Sequence, residues 1–163
     1  MRLFGRLGCR PLAMILGVVI AAGWIAGCSG SGGSQVGTVV ELPTGDRFSV
    51  ELPTKWTVEK SDDAGYLFGH GEGAIFVWDE DCESARECQV SWARLHPGET
   101  SQETIGGVTY YEHSYYVEWG GNQEHWYVDW NGHVYDITLS LVGKASEDPT
   151  KVRAIVRSFT WLS

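Results

Sequence analysis

From residue 37 onward the apolar positions alternate at period two, interrupted twice by period 3.6. Thr38 to Leu42 and Arg47 to Leu52 read as strands around a Pro43-Thr44-Gly45-Asp46 turn. Pro53 ends the second strand and Trp56 follows it. Tyr66 to Phe68 and Ala74 to Trp78 predict a strand pair across a glycine-rich loop. Thr100 to Ile105 leads through Gly106-Gly107 into a long strand, Val108 to Trp119. Glu124 to Trp130 and His133 to Val142 are joined by Asn131-Gly132, the dipeptide that best fits a two-residue hairpin turn.

Two segments break the alternation. Ser84-Ala85-Arg86-Glu87 has the form of a capping box, so a helix should start at Ser84 with Ala85, Cys88, Trp92 and Leu95 on one face. Near the end, Asp148 as N-cap and Pro149 at the first helical position predict a second helix. It places Val152, Ile155, Val156 and Phe159 along one stripe. An antiparallel sheet with two amphipathic helices packed on it is an α+β fold.

Pairing the long strands predicts which side chains share a face. The Asn131-Gly132 turn sets Trp130 opposite His133, Val128 opposite Tyr135, Trp126 opposite Ile137 and Glu124 opposite Leu139. A preceding loop at residues 120–123 would set Val117 beside Trp126, Tyr115 beside Val128 and His113 beside Trp130. That side is the expected core. The other side then collects Tyr116, Tyr127, Asp129, Asp136, Glu118 and His125 as a polar, tyrosine-bearing candidate binding face. Tyrosine offers a large contact area with a hydrogen-bonding tip, and the carboxylates would suit a basic or sugar-like ligand.

The N-terminal segment changes the setting of this domain. Arg2, Arg6 and Arg10 precede an uncharged, mostly apolar stretch of 14 residues, Leu12 to Ile25. A helix needs about 20 residues to cross a bilayer, so the stretch suits a signal peptide better. It ends in Ile25-Ala26-Gly27-Cys28, which resembles the lipobox of bacterial lipoproteins. The resemblance implies a signal peptide at 1–27, acylation of Cys28, and a Gly/Ser tether over 28–36 ahead of one domain at 37–163. The implied location is extracytoplasmic and lipid-anchored, on the cell membrane or the outer membrane.

Cysteine usage fits that compartment. Cys9 would leave with the signal and Cys28 would carry lipid, which leaves Cys82 and Cys88 as a pair. Their bridge would close a short loop at the start of the first helix. The spacing is not C-x-x-C, so the expected role is structural.

Charge excludes one class of partner. The 163 residues carry 12 Lys+Arg against 21 Asp+Glu, a net −9, and phosphate recognition needs the opposite sign. Nucleic acid is therefore not expected.

The domain itself shows a second resemblance. Phe48-Ser49-Val50-Glu51-Leu52-Pro53 with Trp56, and the closing Ile155-Val156-Arg157-Ser158-Phe159, resemble elements of the PsbP-like family. This implies an antiparallel sheet between helices, an α/β/α sandwich, and a binding or assembly role. No shared catalytic motif comes with it.

Catalytic signatures are scarce. No H-E-x-x-H, G-x-S-x-G, P-loop or G-x-G-x-x-G occurs. His125 with Glu118 is the one general-base pair the predicted register offers, for a hydrolase acting on envelope material. Asp79, Asp81 and Glu83 alternate like the start of an EF-hand loop, but Ser84 and Val90 stand where glycine and glutamate belong. They are a weak metal candidate, and no cofactor is expected. The favoured reading is a non-catalytic binding module for an envelope protein or cell-wall component, against a hydrolase or a purely structural lipoprotein.

Overall fold

A computed structural model describes residues 37–54, 56–60, 66–69, 73–118, 121–141 and 149–163. The chain divides into two compact units, 1–33 and 34–163, and every described residue belongs to the second. The signal segment 1–27, Cys28 and the tether 28–36 lie outside the described residues. Among the described residues no helix is long and apolar enough to cross a membrane.

The strands are β1 (Thr38–Glu41), β2 (Arg47–Val50), β3 (Thr57–Lys60), β4 (Tyr66–Gly69), β5 (Gly73–Glu80), β6 (Glu99–Ile105), β7 (Val108–Val117), β8 (Gly121–Trp130), β9 (His133–Leu141) and β10 (Thr160–Leu162). The helices are α1 (Ala85–Leu95), between β5 and β6, and α2 (Thr150–Arg157), before β10. Seven strands form one sheet in the order β3-β4-β5-β9-β8-β7-β6, and β1-β2-β10 form a small second sheet. Every described pair is antiparallel. The class is α+β. Neither β3 nor β10 was marked by the alternation, and each has only three or four residues.

The main core lies between the large sheet, α2 and the small sheet. Ile75, Val77, Trp126, Val128, Ile137 and Leu139 meet Val152, Ile155 and Val156 of α2 and Phe48, Val50 and Trp161 of the small sheet. Each such side chain contributes roughly 1.5–3 kcal/mol on burial. Phe48 stacks on Phe159 at 4.6 Å, and Trp161 stacks on Tyr135 and Trp130. The α2 stripe is thus as expected. Its N-cap is Pro149 rather than Asp148, which lies outside the described residues; helix ends commonly move by a residue.

The opposite face of the sheet is covered by α1. Ala85 and Cys88 pack with Tyr127 and Val134, and Trp92 and Tyr111 flank them. Leu95, expected on this face, is 73% exposed, and Gln89 is buried instead. The reason is local. Gln89 Nε2 donates to the carbonyl oxygens of Ser101 and Glu112 at 2.8 and 2.6 Å, which ties α1 to β6 and β7.

The start of α1 is fixed from three sides. Ser84 Oγ accepts from the Glu87 N–H at 3.2 Å, and Glu87 Oε2 accepts from the Glu83 N–H at 3.0 Å. Asp129 Oδ1, from β8, accepts from the Ala85 N–H at 2.8 Å. The Cys82–Cys88 disulfide closes over this turn, with Cα atoms 5.7 Å apart. A carboxylate at the positive end of the helix is favourable in itself.

These caps give a measurable expectation. Ser84→Ala and Asp129→Ala should each lower the free energy of unfolding by about 1 kcal/mol in urea titrations at neutral pH. The Cys82→Ser, Cys88→Ser double variant should lose about 2 kcal/mol, the loop-closure value for so short a loop. An unchanged midpoint in Asp129→Ala would show that the cross-element cap adds nothing.

Candidate functional site

The expected register of the Asn131-Gly132 hairpin is the observed one: Trp130 faces His133, Val128 faces Tyr135, Trp126 faces Ile137 and Glu124 faces Leu139. Asn131 and Gly132 both have positive φ, 50° and 86°, as that turn demands. The register of β7 on β8 differs. Val117 sits opposite Gly121, so residues 118–120 are the whole connection and β8 starts three residues early. His113 then faces His125, Tyr115 faces Gln123, and Glu112 faces Trp126. The slip is five residues, an odd number, so β7 presents the opposite side chains to each face.

The candidate binding face is therefore taken apart. Tyr127 is fully buried, and His125 and Asp136 are only 6% and 2% exposed beneath α1. Asp129 is spent on the α1 cap. Tyr116, 71% exposed, lies on the other side of the sheet opposite Asn122. Glu118 lies in the connection, five residues beyond the strand neighbour of His125, and does not pair with it.

The residues under α1 form a connected polar core. Asp136 Oδ2 stands 2.7 Å from His125 Nδ1, and Thr138 Oγ1 is 3.2 Å from the same nitrogen. Tyr115 O–H is 3.3 Å from His125 Nε2. The Asp136 carboxylate is the acceptor at Nδ1. His113 Nε2 bonds the His96 carbonyl at 2.9 Å. The rings stack as a ladder: Trp92 on His125, Tyr115 on His96 and on His113, and Tyr127 on His125.

Carboxylate, imidazole and hydroxyl stand in a line. Burial, reinforced by Asp136, pushes the Tyr115 hydroxyl above its ordinary value. Among the described residues Asp136 Oδ1, Tyr127 Oη and His113 Nδ1 are buried without a partner, each a cost of about 1–3 kcal/mol. The arrangement orders the sheet beneath α1.

The open concavity is on the other face, between α2 and the outer strands β6, β7 and β8. This groove, of about 250 Å³, is lined by Glu99, Thr100 and Ser101 of β6, and by Glu112 and Ser114 of β7. His113 of β7, Glu124 and Trp126 of β8, and Arg153 and Arg157 of α2 complete it. Four residues apart, the two arginines share one face of α2. Arg153 grips Glu124 through Nε and Nη2 at 2.8 and 2.5 Å, which raises the guanidinium pKa further. Arg157 holds Glu103 at 3.0 Å and lies 5.6 Å over the Trp126 ring. Ser101 Oγ donates to Glu112 Oε2 at 2.9 Å. Neither Glu99 nor Glu112 forms an ion pair among the described residues, so the groove keeps an acidic surplus. The expected register could not find it, because it puts Tyr116, and with it Glu112 and Ser114 by alternation, on the same side as Tyr127.

The weak metal candidate does not assemble. Asp79 pairs with His133 at 3.2 Å, and the Glu83 backbone is engaged by Glu87. Among the described residues no group of three or more His, Cys, Asp or Glu is placed to hold a metal.

No family model matches the chain, and no curated protein matches it. Among the solved structures similar in outline are two crystal structures. One, from Bacteroides thetaiotaomicron, is 13% identical with a TM-score of 0.49 over 71% of this chain and 45% of that one. The chain thus spans less than half the length of that protein. The other is LpqN, involved in cell envelope biogenesis of Mycobacterium tuberculosis, 15% identical with a TM-score of 0.45 over 78% of this chain and 91% of that one. Neither bears on function.

The buried imidazole has a predictable pH signature. Burial pushes His113 below its ordinary 6.5, and nearby His125 and His96 act the same way against the His96 carbonyl bond and Asp136. The unfolded chain then binds this proton first, so the stability His113 contributes is present at neutral pH and lost as pH falls below about 6.5. Glu80 acts oppositely: burial, with Asp136, raises it above 4.5, so it weakens the fold as pH rises through the carboxylate range. The stability of the wild type relative to His113→Gln should therefore decline between pH 7 and 5 in urea titrations. Parallel curves would remove His113 from this account.

Proposed function

We propose that this chain is an extracytoplasmic envelope lipoprotein, acylated at Cys28, whose domain is a non-catalytic binding or assembly module. In this reading the domain belongs among PsbP-like folds, and the membrane partner is reached through the N-terminal lipid. The occupant of the groove is an envelope protein or cell-wall component. The observation that carries the reading is the groove itself: a concave surface with an acidic surplus over two arginines already held by Glu124 and Glu103. Its chemistry suits recognition of a cationic group, with the Ser101 hydroxyl donating to the Glu112 carboxylate inside it. His125, named for the hydrolase reading, is enclosed beneath α1 and committed to Asp136 and Tyr115.

Anchoring and recognition are separately testable. Metabolic labelling with an alkyne fatty acid should tag the wild-type protein, and Cys28→Ser should lose both the label and membrane sedimentation. Two acyl chains hold a protein stably where none would. For recognition, a photo-crosslinking residue at Tyr116 or Thr100 should trap a discrete envelope component, and Glu112→Lys should abolish that product. Trapping only from Val90, on the exposed side of α1, would put recognition on the wrong face and overturn the reading.

A further inference from the structure

Strand β6 is the last strand of the seven-stranded sheet, and no described residue pairs with its outer edge. It is also one wall of the groove, through Glu99, Thr100 and Ser101. Gln89 fixes which of its backbone groups face outward. A single Nε2 within 2.8 and 2.6 Å of the Ser101 and Glu112 carbonyl oxygens requires those oxygens to be close together. In an antiparallel ladder that holds only for a hydrogen-bonded pair, since the carbonyls of a non-hydrogen-bonded pair point apart. Ser101 and Glu112 are opposite one another in the register, so they are such a pair. Alternation then turns the N–H and C=O of Thr100, Gln102 and Thr104 toward the open edge.

Sheet edges are usually guarded against pairing by lysine, proline or a bulge. Here the seven residues Glu-Thr-Ser-Gln-Glu-Thr-Ile contain no proline or lysine, and pairing with β7 runs without interruption from Glu99 to Ile105. The only guards are Glu99 and Glu103, which share the groove face with Ser101. In a chain of net −9 they repel a second copy, but they attract a basic strand.

We infer that the β6 edge receives an extended basic segment of a partner protein, which adds as an eighth strand and directs alternate Lys or Arg side chains toward Glu99 and the groove. The inference rests on the binding-module reading and names its partner class. Main-chain bonds to Thr100, Gln102 and Thr104 supply affinity, and the alternating charges supply register.

The probe is a nine-residue peptide alternating Lys with Thr or Val, compared with its Glu-for-Lys counterpart, titrated into the full-length protein. The basic peptide should bind, weaken as salt screens the charges, and slow amide exchange at Thr100, Gln102 and Thr104 by more than about tenfold. Gln102→Pro should abolish binding with the fold retained, because it removes an outward N–H and no ladder bond. Glu99→Lys, an exposed charge reversal, should weaken binding and tests the same edge without a backbone change. Equal binding of the acidic peptide, protection at another strand, or no binding would overturn the inference. So would a dimer in sedimentation that Gln102→Pro dissolves, since the occupant would then be a second copy. Crosslinks from Tyr116 that survive Gln102→Pro would leave the binding module standing and remove only the strand addition.

Discussion

The pairing of Val117 with Gly121 decides what the rest of the domain can be. Three residues, 118–120, join β7 to β8, and that length sets the parity of every cross-strand neighbour along both strands. With this parity Tyr111, His113 and Tyr115 turn toward α1 and meet Tyr127 and His125. Tyr110 turns into the main core and donates its ring to Trp126, while its hydroxyl receives the Trp161 indole N–H at 2.9 Å. One residue more or less in the connection would exchange these sets and put Glu112 beneath α1.

Because α1 covers one face and α2 with the small sheet covers the other, the central strands have no wet side. Glu124 to Val128 and Val134 to Leu139 are buried without a break. An antiparallel sheet often keeps one solvated face, and that habit is what makes a polar alternation look like a surface. Here the charged members are buried and meet partners across the ladder or from a helix, while the Tyr127 hydroxyl is left unpaired among the described residues. Asp136 meets His125, Thr138 meets the same imidazole, and Glu124 meets Arg153.

This explains which parts could be read from the sequence. The capped start of α1, the disulfide, the Asn131-Gly132 hairpin and the α2 stripe each depend on residues within about one turn of one another, and each is present. The β7–β8 register depends on how many residues form the connection, and Gly120-Gly121-Asn122 offers several turn positions where Asn131-Gly132 offers one. The burial of Gln89 in place of Leu95 depends on two carbonyls from strands that follow later in the chain. In the candidate face, His125, Tyr127, Asp129 and Asp136 share one side as expected but are taken up by α1, and only Tyr116 falls on the other side through the β7 register.

The groove follows from the anchoring of α2 on the sheet. Glu124 is nearly buried, and leaving such a carboxylate unpaired costs about 3–5 kcal/mol. Arg153 must therefore reach it, and the four-residue spacing then delivers Arg157 to Glu103. Sliding α2 by one residue along the sheet would break both pairs at once, so the pairs fix the position of the helix more than they add stability. They also consume both cations among the residues lining the groove. Glu99 and Glu112 are left without an ion pair among the described residues beside an open strand edge, and the negative character of the groove is a consequence of how the helix is held there.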